Sequence, residues 1–271
     1  MDEGPIASRP LVRHRAGAAE AGDDRVAVEA PLEMRIDGRA LAVTLRTPGH
    51  DRELAVGFLG GEGLIASIDD VAAVDLHAAG CADEPDLADV RLAPGVRIDW
   101  TLIERHFAAT SACGLCGRAH LDSLRRGLAP MRHGGPFAAH ALMRLPERMR
   151  THQAAFAATG GIHAAAYLDE TLEPLALFED VGRHNAVDKV NGRLLAERRW
   201  PARGGLLWIS GRAGAEIVLK AARASIPALA AVGAPTTLAI SLAEAAGMTL
   251  VGFLQSERMN VYAGAERVRA G

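Results

Sequence analysis

After Pro136 the chain alternates short apolar runs with amphipathic stretches, and this constrains its fold more than any other feature. Ile162–Leu168 and Pro174–Phe178 read as strands joined by a polar turn at Asp169–Thr171. Val187, Val190, Leu194 and Leu195 then fall on one face of a helix. Leu206–Ile209, Ala228–Val232 and Thr249–Phe253 are strand-like runs, and the stretches between them, Ala215–Ala224 and Thr237–Ala246, are helical. One or two helices are expected between Pro136 and Ala157. Such alternation predicts a parallel or mixed sheet covered by helices, an α/β architecture.

Upstream the pattern is different. Residues 1–24 carry no period and read as a disordered tail. From residue 25 to 106 a smaller, β-rich subdomain is expected. It has strand candidates at Val26–Val28, Glu33–Ile36, Val71–Leu76 and Val90–Leu92. Asp37-Gly38 between Met34–Ile36 and Leu41–Leu45 marks a hairpin, because a tight turn needs positive φ. Asp51 is placed to cap a helix bearing Leu54, Phe58 and Leu59, and Gly60, Gly61 and Gly63 to end it. Residues 107–135 read as a long, glycine-rich functional loop. They are followed by an α/β domain at 136–263 and a short tail at 264–271. No internal repeat is evident.

Composition narrows the classes. A chain of 271 residues with 49% hydrophobic residues can bury a real core. A net charge of −3 does not imply a strongly basic face for duplex nucleic acid, although local clusters are compatible with it. Met1 is followed by charged residues rather than an export signal, and no apolar run is long enough to span a bilayer. A cytoplasmic protein that binds neither membrane nor nucleic acid is the expectation.

In open α/β sheets ligands bind beyond the carboxyl ends of the strands. Three such ends occur here: Ser210–Gly214, Gly233–Thr237 and Leu254–Arg258. The first two lead into helices and suit an anion such as phosphate, with Arg212 and Arg258 able to add charged contacts. The bland alternative is that their glycines only make tight turns. A second polar cluster combines Thr159-Gly160-Gly161-Ile162-His163 with Glu179–Asn185. Its two readings are a functional surface, or a helix cap by Asp180 or Asn185 with Arg183 paired to Glu179.

Ser111–Arg118, SACGLCGR, places Cys113 and Cys116 in a CxxC flanked by glycines that expose the thiols. Arg118 would favour thiolate, the form that can accept the outer sulfur of a donor persulfide. Three other readings stand beside this one: a zinc site shared with Cys81 and His120, a dithiol redox pair, or buried inert thiols.

Seven ordered motifs resemble the formate dehydrogenase accessory sulfurtransferase family, FdhD. They are RTPGHDRELAVGFLGGEGLI (Arg46–Ile65), SACGLCGR (Ser111–Arg118), TGGIHAAAY (Thr159–Tyr167), EDVGRHNAVDKV (Glu179–Val190), SGRAGAEIVLKAA (Ser210–Ala222), GAPTTLAISLA (Gly233–Ala243) and FLQSERMNVY (Phe253–Tyr262). The resemblance implies a cytoplasmic homodimer with a cytidine deaminase-like core. It implies a sulfurtransferase that takes persulfide sulfur from a cysteine desulfurase and passes it to the molybdenum-bis(molybdopterin guanine dinucleotide) cofactor required by formate dehydrogenase. That cofactor is cargo, and no permanent cofactor or metal is implied.

By the same resemblance Cys113 is the persulfide carrier and Cys116 assists. The cofactor-binding set is Phe253, Leu254, Gln255, Ser256, Glu257 and Arg258, joined by Ser210, Gly211, Arg212 and Thr236 from the neighbouring strand ends. A zinc deaminase is excluded by sequence, since His163 is followed by Ala164-Ala165 rather than the H-x-E of that chemistry, and the CxxC precedes the histidine. A non-catalytic cofactor-binding chaperone for formate dehydrogenase and a zinc-binding module remain as alternatives.

Overall fold

Short strands without polar interruptions can sit only where both faces of a sheet are covered. In the computed structural model, which describes residues 4–80, 84–100, 130–131 and 133–270, three such strands form the centre of a six-stranded sheet. They are β10 (Leu206–Ile209), β11 (Ala228–Ala231) and β12 (Thr249–Gly252), and they run parallel. On one side lie β8 (His163–Leu168) and β9 (Pro174–Asp180), and on the other β13 (Asn260–Ala263), all pairing antiparallel. The sheet is therefore mixed, as the alternation of elements implied.

Its two faces carry separate apolar clusters. One packs under α5 (Arg183–Ala196), α6 (Ala215–Arg223) and α7 (Thr237–Ala245). The other packs under α2 (Ala139–Met143) and α3 (Leu145–Arg150), with α4 (Ala154–Thr159) following. The expected one or two helices before residue 157 are thus three short ones.

A second sheet, ordered β4-β3-β6-β5, is built from β3 (Ala30–Ile36), β4 (Arg39–Arg46), β5 (Val71–His77) and β6 (Asp86–Leu92). Asp37 and Gly38 turn the β3–β4 hairpin with φ of 49° and 78°. This sheet packs on α1 (Asp51–Glu62).

Helix α1 lies against α5 at very close range. A Cβ on Gly57 would sit 1.8 Å from the Asp188 carbonyl oxygen, and one on Gly192 would sit 1.9 Å from that of Glu53. Only glycine permits this crossing. Around it, buried charges join the two sheets. Asp180 accepts from Lys189 Nζ at 2.7 Å, from the backbone N–H groups of Thr47 and Gly182, and from Asn185 Nδ2. Lys189 also donates to the Thr47 carbonyl, and Asn185 to that of Leu45. Lys220 donates to both Asp188 oxygens and to Glu62.

Four expectations are corrected. Residues before Asp24 were read as a disordered tail, yet β1 (Ile6–Arg15) pairs with β2 (Ala18–Ala27) around Ala16 and Gly17. Both faces of that hairpin are largely exposed, so no apolar alternation marks it. Residues 264–271 were also read as a tail, but β14 (Val268–Arg269) pairs with β7 (Phe137–Ala138), and Arg267 donates to the carbonyls of Gly247 and Met131. The N-cap of α1 is His50 in a left-handed conformation, because Asp51 is taken by a bidentate pair with the buried Arg46. Finally, Gly60 and Gly61 lie inside α1, and Gly63 alone ends it.

Candidate functional site

The carboxyl ends of β10, β11 and β12 lie side by side, and the turns that follow them are stitched together. The Gly233 N–H donates to the Gly211 carbonyl at 2.9 Å, Ala213 N–H to Ala234, and Thr236 N–H to Ala213. A Cβ on Gly233 would lie 2.8 Å from the Gly211 oxygen, so glycine is required for this approach. The Phe253 N–H donates to the Gly233 carbonyl. Ser210, Gly211, Arg212, Thr236 and Phe253 are thus on one edge of one sheet. Several backbone N–H groups read from sequence as free for an anion are already used between these turns.

The individual side chains divide into two groups. Thr236 caps α7, its Oγ1 accepting from Ala239 N–H, and Leu254 is fully buried in the core. Leu254 is therefore closed to a ligand, whereas Thr236 is exposed and its hydroxyl keeps a proton to donate. Arg212, Gln255, Ser256, Glu257 and Arg258 are exposed. The last four form a turn closed by Gln255 N–H on the Arg258 carbonyl and by Arg258 Nε on Gln255 Oε1. Ser256 donates to Glu147 on α3, tying this turn to the helical layer. Phe253 is 40% exposed and holds a φ of 51°, an uncommon conformation for a bulky residue.

Between this edge and α3–α4 opens a cleft of about 460 Å³ that sequence reasoning did not assemble. Ser210 and Val232 line it from the sheet, Arg150 and Phe156 from the helices, and Gly161 and His163 from the connection into β8. Glu179 fixes the helical wall. Its carboxylate accepts from the N–H groups of Ala155 and Phe156 at 2.8 and 2.7 Å, capping α4 from β9. Glu179 therefore does not pair with Arg183.

The two halves of the second polar cluster have different fates. The Gly160–His163 half lines the cleft. The Glu179–Asn185 half is mostly an internal latch, with Asp180 and Asn185 holding the second sheet as described above. At the cleft's rim, burial and the charges of Arg183 and His184 pull the His163 imidazole below the usual histidine range, which keeps it neutral near pH 7. His184 bonds Glu216 at 3.0 Å and holds that carboxyl low. The buried Nε of Arg183 has no partner among the described residues. The nearest sequence signal for this cleft was Trp208, a lone large aromatic in an apolar strand that ends at Ser210.

Cys113 and Cys116 lie outside the described residues, as do Cys81 and His120 of the zinc reading and most of the expected 107–135 loop. Among the described residues no group of three or more His, Cys, Asp or Glu side chains is placed to hold a metal ion. No helix there is long and apolar enough to cross a membrane.

The chain matches the FdhD/NarQ family over residues 27–269. It is 46% identical over 266 residues to the sulfur carrier protein FdhD of Streptomyces coelicolor, covering 96% of this chain and 94% of that one. Its identity to the protein of the same name from Anaeromyxobacter dehalogenans is also 46%, over 276 residues, with 98% and 94% covered. The crystal structure of a formate dehydrogenase accessory protein from Desulfotalea psychrophila matches with a TM-score of 0.78, over 98% of this chain and 100% of that one. At 23% identity, that likeness establishes the shared fold.

Proposed function

Because the chain belongs to the FdhD/NarQ family, we propose that it carries sulfur as a persulfide on Cys113 and delivers it to a molybdenum-bis(molybdopterin guanine dinucleotide) cofactor for formate dehydrogenase. One observation carries this reading. The family match spans residues 27–269, so it includes both cysteines, and relatives at 46% identity over nearly their whole length are named sulfur carriers.

The chemistry follows from thiol exchange. The Cys113 thiolate attacks the outer sulfur of a persulfide on a cysteine desulfurase. A new Sγ–S bond forms, the donor's S–S bond breaks, and the donor leaves as a thiolate. For delivery, the Cys116 thiolate attacks Sγ of Cys113. The outer sulfur departs as sulfide with the bonding pair and replaces an oxygen ligand of the cofactor's molybdenum, which leaves as water. The Cys113–Cys116 disulfide left behind is reduced by a cellular dithiol. Arg118 and the glycines of the motif favour exposed thiolate.

The edge formed by the turns after β10, β11 and β12 is the proposed cofactor platform. Its support is that residues distant in sequence meet there beside an open cleft. The reading includes a cytidine deaminase-like core, consistent with the mixed sheet and helices on both faces, and a homodimer, which sedimentation would check.

Transfer of radiolabelled sulfur tests the proposal. Label loaded onto the protein from a desulfurase and cysteine should move to the cofactor of a formate dehydrogenase, and Cys113→Ala should abolish that movement. A Cys113→Ala protein that still restores formate dehydrogenase activity would replace the carrier with the cofactor-binding chaperone.

A further inference from the structure

Strand β5 is the outer strand of the second sheet, so the backbone N–H and C=O groups on its outer side have no strand to pair with among the described residues. Beside it opens a slot of about 180 Å³. Four consecutive residues of β5 line this slot: Val71, Ala72, Ala73 and Val74. Successive side chains of a strand point to opposite faces of the sheet, so lining by a continuous run places the slot along the strand's edge. The facing wall comes from α1 and α5, where Val56, Gly192 and Ala196 contribute small or aliphatic surface.

The walls of the slot are fixed and all but one of their charges are paired. Arg193 holds Glu53 at 2.9 Å. The short 3₁₀ turn Ile68–Asp70, which closes one end, is tied to the chain after α5 by a bidentate pair between Asp69 and Arg198. Arg52 is the exception. It is exposed, its guanidinium donates to the Val74 carbonyl at 3.0 Å, and it makes no ion pair among the described residues. Further along the same edge Leu76 is 46% exposed.

An open strand edge, an aliphatic slot beside it and one cation at its mouth without an acid describe a partner. Only a chain in extended conformation meets the backbone groups of the edge at their own spacing. One of its aliphatic side chains fills the slot, and a neighbouring carboxylate meets the Arg52 guanidinium. We propose that the β5 edge is a docking site at which an extended segment of a partner protein, with an aliphatic residue flanked by Asp or Glu, adds as a fifth strand to the second sheet. The slot lies against the C-terminal half of α5, where Gly192 and Ala196 stand. The N-terminus of that 14-residue helix adjoins the proposed cofactor platform, about 20 Å away along the axis. A partner docked on β5 therefore leaves the platform open.

Selection of a random seven-residue peptide library, displayed on phage, against the full chain tests the site. The selected peptides should share an aliphatic residue with Asp or Glu beside it, and synthetic copies should slow amide hydrogen exchange across Val71–His77. Ala196→Trp fills the slot from the exposed end of α5 and should weaken those peptides at least about tenfold. Arg52→Glu leaves the slot open and should turn the selected preference from acidic to basic residues. Because Arg52 is exposed, that variant keeps the test decisive should Ala196→Trp fold poorly. No shared pattern among the selected peptides, or equal binding to wild type and both variants, would overturn the docking site. Wild-type dimers that dissociate in Ala196→Trp would also overturn it, by assigning the edge to a second copy of the chain. Persulfide formation on Cys113 is judged separately in every case.

Discussion

The seam between the two sheets and the cleft at the sheet edge are both built from dense polar motifs, yet they treat their polar atoms in opposite ways. In the seam, Asp180, Asn185, Lys189, Lys220 and Arg46 are buried and their charged atoms bonded across chain segments more than a hundred residues apart, or to Asp51 and Asp86 near Arg46. In the cleft, the Trp208 indole N–H has no partner among the described residues, and His163 and Phe156 are only partly covered. A motif rich in charge is thus a poor guide to a site. What distinguishes the site is polar capacity left unused. Asn191 is the exception in the seam, since both of its amide atoms are buried and without a partner among the described residues.

The comparison can be broken most forcefully at Lys189. Replacing it with Met leaves Asp180 as a buried, uncompensated charge and should cost about 3–5 kcal/mol in urea unfolding. A loss below about 1 kcal/mol for Lys189→Met would mean that the pair does not hold the seam.

Gly57→Ala should come next. Its Cβ has no room against α5, so the helices must separate, at a cost of about 1–3 kcal/mol. Thermal melting checks it, and an unchanged midpoint would contradict the close crossing.

Smaller still is Thr236→Ala, which removes the α7 cap and should cost about 1 kcal/mol. That change sharpens the comparison at the sheet edge. GDP affinity unchanged by it would identify Thr236 as a cap alone, whereas a large loss would return it to the ligand site.

The weakest expected effect depends on pH. His50, and Arg193 at the closer distance of 2.9 Å, hold Glu53 at about 2 against a usual 4.5. A carboxyl with a depressed folded pKa contributes stability that is complete above about pH 4.5 and is lost as pH falls toward 2. Glu53→Gln should flatten the stability profile within that window, with its loss of stability full at pH 7–8 and vanishing toward pH 2. An unaltered acid slope would show that Glu53 is not the titrating group.

Much of the fold could be read from the residues. The central strands and their helices fall within one or two residues of expectation, because apolar runs of four or five residues bounded by Gly or Pro leave few alternatives. The β1–β2 hairpin could not be read, since a strand exposed on both faces has no apolar alternation and is defined by backbone pairing. The cap of α1 was misread for a reason that lies elsewhere in the chain. Arg46 is buried with Asp86 beside it and takes Asp51 as its partner.

At the site, strand order brings the three strand ends together, and that much follows from the α/β pattern. The cleft does not follow from it. Its walls depend on Glu179 capping a helix some 24 residues earlier and on an indole whose missing partner is visible only in three dimensions.

The central claim is that Cys113 carries sulfur, and intact-mass spectrometry after incubation with a cysteine desulfurase and cysteine tests it most directly. Wild type should gain the mass of one sulfur, lose it to reductant, and fail to gain it as Cys113→Ala. No gain in wild type, or an equal gain in Cys113→Ala, would contradict the account.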